Sequence, residues 1–468
     1  MEETSKSFER YLILYVPWVL AILLKSSPTI SYFTAWFGSF AIFFVCYSGW
    51  IKPLPKDRAI GAQLMRPIFL VQIIFVGYMA CSSIFYFCGL LGIIDNSGLA
   101  TFIVDNENVE LAAQCQRYYV LGHASFVTGL VLSMKYPIKQ KYKVSNEKLA
   151  NVLLMMAIIF LPVSYLAGHT NGLEQFYFQF TSLSFIAGTL ALAFAIPLNK
   201  VFNTIFCLFL YFTNFYQALT SGFKEPIIVS TLVLGVFLYP TYKRIVLMTF
   251  LPMLLLLFMY LPTYNHIFRE NAWGSDNVNA DDAYKLALDA ALSDESQEDT
   301  NLGFLIYRLS EIDMFTGYVR SSPTYVDFYG LELVKQSLIA IVPRVFWPEK
   351  PITEDLVMER VYNSGVIRRG SSVSAKPAYI VDGYLSAGAF GVFLSLLVYG
   401  AAVQLISQKA EQLFGGYILG TALIFSGLFQ IFWRGLSFEF LLNSVFWSFI
   451  TMIVLSRVLR AQNILEDI

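Results

Sequence analysis

Long, unbroken apolar runs alternate with short polar segments along the whole chain. Period-two alternation of apolar and polar residues is absent, and since only helices or closed barrels satisfy the backbone in lipid, the runs predict membrane-spanning helices. A helix needs about 20 apolar residues to cross the bilayer core. Some runs are shorter, so interfacial aromatic residues such as Tyr11, Trp18 and Tyr32 are expected to extend them. The twelve predicted spans are 11–24, 32–50, 67–94, 118–134, 149–167, 181–198, 202–221, 227–242, 245–262, 388–407, 416–433 and 441–456.

Composition supports an all-α polytopic membrane protein. Of the 468 residues 56% are hydrophobic and 14% are charged, whereas soluble domains average about 25% charged residues. The net charge of -1 gives no bulk attraction to nucleic acid, so we expect no nucleic-acid partner.

The distribution of lysine and arginine predicts the orientation. With the N-terminus in the cytoplasm, every second loop is rich in positive charge, as the positive-inside rule requires. Both termini are then cytoplasmic, spans one to nine occupy residues 1–262, a large loop at 263–387 lies outside, and three spans and a tail follow at 388–468. The basic residues of the cytoplasmic loops are Lys52, Lys56, Arg58, Arg66, Lys135, Lys139, Lys141, Lys143, Lys148, Lys200, Lys243, Arg244, Lys409, Arg457 and Arg460.

The outer loop has an acidic first part and a basic, aromatic second part. In the first, DDAYKLALDAAL predicts a short helix starting near Asp281, followed by a polar linker, SDESQED. Positive charge outside the membrane opposes the topological bias, so the second part indicates an anionic ligand, because arginine binds phosphate with a bidentate fork. Pairing with loop carboxylates or lipid phosphates is the alternative. The basic residues of this part are Arg308, Arg320, Lys335, Arg344, Lys350, Arg360, Arg368, Arg369 and Lys376.

The sharpest local motif is IVPRVFWPEKP, residues 341–351. Its three prolines restrict the backbone and remove hydrogen-bond donors. The run LVKQSLIAIV before it predicts a helix lying along the membrane surface. Arg344 and Lys350 would then be held on a stiff turn, with Phe346 and Trp347 buried or at the interface. Rigid presentation of two cations suits a diphosphate, and a purely structural turn is the alternative.

Two further basic residues, Lys224 and Arg434, lie at the outer ends of predicted spans. Ionisable residues there are functional candidates, although snorkelling, or pairing with Glu225 and Glu439 respectively, would also explain them.

Four segments together resemble the Wzy-type polymerases of O-antigen and exopolysaccharide repeat units, which are related to the O-antigen ligases. PRVFWPEKP resembles a proline-, arginine- and tryptophan-containing element in the outer loop of that family. AYIVDGYLSAGAFGV, from Ala378, resembles the family's acidic, tyrosine-containing and glycine-rich entry to the next span. WRGLSF around Arg434 resembles its late Arg-Gly. LTSGFKEPIIV resembles its Ser-Gly-Ser-Arg turn, but Lys224 stands where arginine is usual.

This resemblance implies a fold similar to the GT-C membrane glycosyltransferases and a metal-independent enzyme without a cofactor. It implies that a glycan on undecaprenyl diphosphate is the donor and a lipid-linked repeat unit the acceptor, at the periplasmic face of the bacterial inner membrane. Cations would stabilise the leaving diphosphate, and Asp382, beside Tyr384, would be the general base. An N-cap of the tenth span is the alternative for Asp382. The expected catalytic residues are Asp382, Arg344 and Arg434, and the expected substrate-binding residues are Lys224, Arg308, Lys350, Tyr384 and His266.

Other readings stay open. His266, just past the ninth span, is a second base candidate, while three histidines without an H-x-x-x-H pair do not predict a metal site. An O-antigen ligase would share layout and donor. Twelve spans also suit a flippase or transporter, although no internal repeat is evident. A scaffold in an export complex is a fourth reading, and a chain-length regulator is a further expected partner.

Overall fold

The computed structural model of the chain describes residues 9–57, 63, 66–93, 105–220, 225–273, 279–292, 311–369, 375–414 and 436–468. The described chain is almost entirely helical. Its helices are α1 Glu9–Leu12, α2 Val16–Leu23, α3 Pro28–Tyr47, α4 Pro67–Phe75, α5 Ser83–Leu90, α6 Asn106–Ser133, α7 Asn146–His169, α8 Tyr177–Ala195, α9 Val201–Thr220, α10 Glu225–Trp273, α11 Ala280–Leu292, α12 Ile312–Ser321, α13 Glu332–Ile341, α14 Thr353–Asn363, α15 Tyr379–Leu413 and α16 Phe438–Ala461. Short 3-10 turns cover Ile13–Tyr15 and Glu174–Phe176, a π-helix covers Val76–Cys81, and β1 Tyr142–Lys143 pairs antiparallel with β2 Glu466–Asp467.

Six of the described helical segments are long and apolar enough to cross a membrane. They are Pro28–Tyr47, Glu147–His169, Glu174–Ala195, Thr241–Leu261, Tyr379–Leu413 and Phe438–Ala461. Each of these segments overlaps a predicted span, so the membrane-helix pattern is confirmed at this level. The count of twelve stays a prediction, and the predicted span 416–433 lies outside the described residues.

The predicted helices of the outer loop are present. The segment DDAYKLALDAAL forms α11, and the run before the proline motif forms α13. Helix α10 has a kink at Tyr242, between the eighth and ninth predicted spans, and it extends past the predicted end of the ninth span at 262 to Trp273.

The central helix pair is α6 and α15, which touch along most of their lengths. A Cβ on Gly129 would fall inside contact distance of the Leu397 carbonyl oxygen, and one on Gly400 would overlap the Phe126 carbonyl oxygen. Small residues therefore let the two backbones approach, which is the usual way helices pack in membranes.

Helix α15 is broken near its start. Ala387 and Gly388 have non-helical dihedral angles, and Gly388 has a φ of +61°, which disfavours any side chain. The short segment before the break carries Asp382. Because Gly383 and Gly391 also lie in close contact across the break, this segment folds back tightly onto the rest of α15.

The ends of helices α7, α15 and α16 lie together in two groups, one at each end of the helices. At one end, Lys148 at the start of α7 pairs with Glu466 of β2 at 2.5 Å, and the Lys141 amide donates to Gln412 O near the end of α15. The opposite end contains the end of α7 and the starts of α15 and α16. Since α7 has 24 residues, the two ends are about 36 Å apart, which matches a bilayer core of about 30 Å.

Candidate functional site

A pocket of about 230 Å³ lies at the opposite end from the β1–β2 pair. Three parts of the chain form it: the α7–α8 connection, the turn between α13 and α14, and the first turns of α16. The lining residues are Gly172, Glu174, Gln175, Ala340, Arg344, Lys350, Ile352, Thr353, Glu354, Glu439, Phe440 and Asn443.

The proline motif forms the turn that brings two cations into this pocket. The Phe346 amide donates to Pro343 O at 3.0 Å. Arg344 donates from Nη1 to Pro348 O at 3.2 Å and from Nη2 to Pro351 O at 3.3 Å. The stiff turn predicted from the prolines is therefore confirmed, and it holds the guanidinium through its own backbone.

Lys350 is held in the same way from the other side of the turn. Its side chain is 5% exposed, and Nζ donates to Ala340 O at 3.2 Å and to Val342 O at 2.7 Å. Phe346 and Trp347, by contrast, are 78% and 40% exposed. Of the two predicted placements, burial inside the protein therefore does not apply, and a place at the membrane interface stays a prediction.

The α7–α8 connection fixes the position of the turn. Gly172 has a φ of +85°, and a Cβ there would lie 2.8 Å from the Val345 amide nitrogen. Glycine is needed at this position both for the backbone conformation and for the close approach. The pocket wall formed by Glu174 and Gln175 thus lies directly against the cationic turn.

The pocket lining combines two cations, Arg344 and Lys350, with three carboxylates, Glu174, Glu354 and Glu439. Within the described residues, Arg344 and Lys350 bond to backbone carbonyls and form no ion pair. Two lining carboxylates are compensated, since Glu354 pairs with Lys376 at 3.1 Å and Glu439 pairs with Arg360 at 2.7 Å. Burial, and to a smaller extent the nearby positive charge of Arg344, lower the pKa of Lys350.

A buried ion network stands behind the pocket. Arg360 of α14 donates from Nη1 and Nη2 to the two carboxylate oxygens of Glu439, at 2.7 and 2.9 Å, and from Nη2 to Asp382 Oδ2 at 3.2 Å. The side chains are 0–2% exposed. Burial alone lowers the pKa of Arg360, but Asp382 and Glu439 outweigh burial and raise it above its ordinary value. The network therefore ties α14, α15 and α16 together.

Asp382 occupies the centre of this network rather than the pocket wall. Its Oδ2 also accepts from the Phe438 amide at 2.8 Å, in the first turn of α16. The N-cap of α15 is Ala378, so the alternative interpretation of Asp382 as an N-cap of the tenth span is wrong. Asp382 instead accepts a hydrogen bond from the first helical amide of α16. Asp382 reaches the pocket only through Arg360 and Glu439, which makes it a positioning residue in this geometry.

The other predicted site residues lie elsewhere. Tyr384 is 2% exposed and donates its hydroxyl to Ser322 O at 2.6 Å, so its polar atom is committed inside the protein. His266 is exposed on α10, with Nδ1 3.8 Å from Glu270, and α10 does not line the pocket. Arg434, Lys224 and Arg308 lie outside the described residues.

Sequence reasoning missed Arg360 and Glu439 as site residues. A signal for Arg360 was present, because it shares the buried face of α14 with Val357 and Val361. An arginine on the apolar face of an amphipathic helix requires a buried partner. Glu439, between Phe438 and Phe440 in an apolar segment, carries the matching signal. Among the described residues, Gln175 Nε2 and Asn443 Oδ1 belong to residues that line the pocket, and both atoms are buried without a hydrogen-bond partner.

The fold and the site define a helical protein that has, in its described part, six helical segments of membrane-spanning length and, at one end of them, a pocket lined by Arg344 and Lys350. The chain belongs to the family described as a domain of unknown function, DUF8712, whose profile matches residues 16–467. No curated protein and no solved structure matches the chain.

Proposed function

We propose that the chain is a multi-spanning inner-membrane glycosyltransferase that polymerises oligosaccharide repeat units carried on undecaprenyl diphosphate. The observation that carries the proposal is that Arg344 and Lys350 line the same pocket and that neither has a carboxylate partner among the described residues. Two fixed cations at one end of the membrane-length helices, close to the bilayer surface that we propose, suit a diphosphate joined to a lipid. Hydrogen bonds from these cations to a diphosphate would be charge-assisted, and such bonds are stronger than hydrogen bonds between neutral groups.

The proposed reaction is displacement at the anomeric carbon of the donor. A hydroxyl oxygen of the acceptor repeat unit forms the new bond, and the bond from that carbon to the diphosphate oxygen breaks. The diphosphate leaves with the electron pair, and Arg344 and Lys350 stabilise the developing charge. Gln175 and Asn443 line the same pocket, and each has a buried polar atom without a partner among the described residues, so we propose that they bind sugar hydroxyls when the site is occupied.

Glu174 is the proposed general base. It is exposed and lines the pocket, and it forms no ion pair within the described part of the chain. Glu354 and Glu439 are each bound to a cation, and Asp382 is buried behind the wall. Glu174 is therefore the lining carboxylate that can accept the proton of the acceptor hydroxyl.

The test is complementation of a strain of the source bacterium that lacks the chain, read as glycan ladders. Arg344→Ala, Lys350→Ala and Glu174→Gln should each remove long chains while single repeat units are still made. Arg369→Ala and Lys335→Ala are the matched controls, because both change an exposed cation of the same loop that is paired with a carboxylate.

Three outcomes decide between the readings. Loss of long chains with the carrier-linked unit intact supports the polymerase. If polymer still forms on its carrier but is not attached to lipid A, the chain is a ligase. Normal ladders in all three variants, with the proteins present in the membrane, would overturn the enzymatic proposal.

A further inference from the structure

The turn that holds the pocket cations exposes a set of apolar side chains on its outer side. Val345, Phe346 and Ile352 are 51%, 78% and 55% exposed, and Trp347 is 40% exposed. Helix α13 continues this surface, because Leu331, Val334 and Leu338 follow one another at helical spacing and are all exposed. These seven residues form an apolar ridge beside the pocket.

We infer that the apolar ridge inserts into the outer leaflet of the bilayer, so that the pocket opens at the level of the lipid headgroups. A lipid-linked anion would then enter sideways from the membrane without leaving it. This inference goes beyond the proposed glycosyl transfer, because it concerns the route of entry for any lipid-linked anion.

Continuity with a membrane-length helix identifies lipid as the occupant. The inner face of α13, with Leu333, Ser337 and Ala340, is buried, and α13 packs along α16. Trp447 of α16 donates from Nε1 to Ile341 O at 3.0 Å. Helix α16 is one of the six membrane-length segments. The ridge therefore extends a surface that would already face lipid.

The residues on α16 strengthen this continuity. Phe446, Val454 and Val458 are exposed along the same helix, so its outward side is apolar from near the pocket towards the opposite end. Lys335 lies on the outer face of α13 and pairs with Glu332 at 3.4 Å. A lysine there is compatible with lipid, because its long stem lets the ammonium reach the headgroups.

The difference in polarity between the exposed faces of α13 and α14 sets the depth to which the loop would insert. Helix α14, on the other side of the turn, exposes Asp355 and Glu359 instead of apolar residues. The water boundary would therefore run between α13 and α14. Phenylalanine and tryptophan at the turn match this boundary, since aromatic residues concentrate at membrane interfaces.

The test measures the depth of single positions in the full chain reconstituted alone in phosphatidylethanolamine–phosphatidylglycerol vesicles. Phe346→Cys and Leu338→Cys carry an environment-sensitive fluorophore, and the labelled parent chain supplies the background from its native cysteines. Asp355→Cys is the matched control, because it is exposed on the neighbouring polar helix. Quenchers are lipids with a spin label on the upper acyl chain, and aqueous iodide.

Both ridge labels should be quenched several-fold more by the spin-labelled lipid than the Asp355 label, and iodide should show the reverse order. Equal iodide quenching at all three sites would overturn the inference. Shielding of the ridge from both quenchers would also overturn it, because another copy of the chain would then cover the ridge. The measurement needs no turnover, so its failure is separable from failure of the proposed enzyme activity.

Discussion

Arg360 supplies the positive charge that compensates two buried carboxylates. Its removal leaves Asp382 and Glu439 without a cationic partner, and breaking a buried ion pair in this way costs about 3–5 kcal/mol. Arg360→Ala should therefore strongly lower the thermal unfolding temperature of the detergent-solubilised protein. The measurement is thermal unfolding of purified variants at equal protein and detergent concentration.

The matched control is Arg369→Ala, in the same loop. Arg369 also forms a fork with a carboxylate, that of Glu359, but this pair is exposed. Exposed pairs contribute little, so Arg369→Ala should unfold close to the parent temperature. Arg360→Lys should fall between the two, because it keeps the charge and loses the fork. Equal unfolding temperatures for Arg360→Ala and Arg369→Ala would contradict the buried network.

Lys350 should make the affinity of the pocket for an anion depend on pH. Burial and Arg344 lower the pKa of Lys350 from its ordinary value of 10.5. A bound anion favours the charged form, so affinity for farnesyl diphosphate should fall as pH rises through the lowered pKa, at a lower pH than for an ordinary lysine. The affinity is measured by calorimetric titration of the purified protein across the alkaline range.

Lys350→Arg is the control for this pH effect, because arginine stays charged throughout. Its affinity should change little over the range in which the parent loses binding. Without ligand, the free energy of unfolding should change in the opposite direction. Between the lowered pKa and the ordinary pKa, Lys350 binds more protons in the unfolded chain than in the folded one, so this group makes stability rise with pH. An identical pH profile for parent and Lys350→Arg would show that Lys350 does not contact the anion.

The site could be predicted from the sequence only where its residues are close along the chain. Arg344 and Lys350 were identified because the prolines between them fix their relative position locally. Arg360 and Glu439 are 79 residues apart and belong to separate helices. Their pairing depends on how α14 packs against α16, and no short motif encodes that packing.

At the scale of elements, Gly129 and Gly400 let the backbones of α6 and α15 approach closely in the part of α15 that follows the break. Gly129→Ala or Gly400→Ala would push a methyl group into a backbone carbonyl of the partner helix, and backbone cannot move aside as a side chain does. Overpacking of this kind costs about 1–3 kcal/mol. Both variants should therefore unfold at a lower temperature than the parent in the same detergent.

Gly77→Ala is the matched control, because a Cβ at Gly77 meets nothing within 4 Å. Replacing glycine by alanine at an open helical position should leave stability unchanged or slightly higher. If Gly129→Ala and Gly400→Ala behaved like Gly77→Ala, the close approach of α6 and α15 would be absent in the protein.

Apolar runs predicted the presence of helices better than the residues at which the helices begin and end. Helix α6 starts at Asn106, although the predicted span starts at 118. Its first turns include Glu107, Glu110 and Arg117, which interrupt the apolar run but do not break a helix. Contacts with α12 stabilise these extra turns. The apolar run thus locates the buried part of α6, and tertiary packing decides where the helix begins.

At the scale of the whole molecule, α7, α15 and α16 connect the pocket to the β1–β2 pair. The pocket takes residues from the end of α7 and the start of α16, while β2 follows the end of α16. If these helices cross the bilayer, the pocket and the C-terminal strand must lie on opposite sides of it. The orientation predicted from lysine and arginine puts the pocket outside and the C-terminus in the cytoplasm.

Thiol labelling in intact cells tests this arrangement. Glu349→Cys lies in the exposed pocket turn, and Ile468→Cys is exposed beside β2. A membrane-impermeant maleimide should label Glu349→Cys once the outer membrane is made permeable, and should label Ile468→Cys only after the inner membrane is also opened. The parent chain, which keeps its five native cysteines, gives the background. Labelling of both positions from the same side would rule out α7 and α16 as spans, because each of these helices alone separates the pocket from the C-terminal strand.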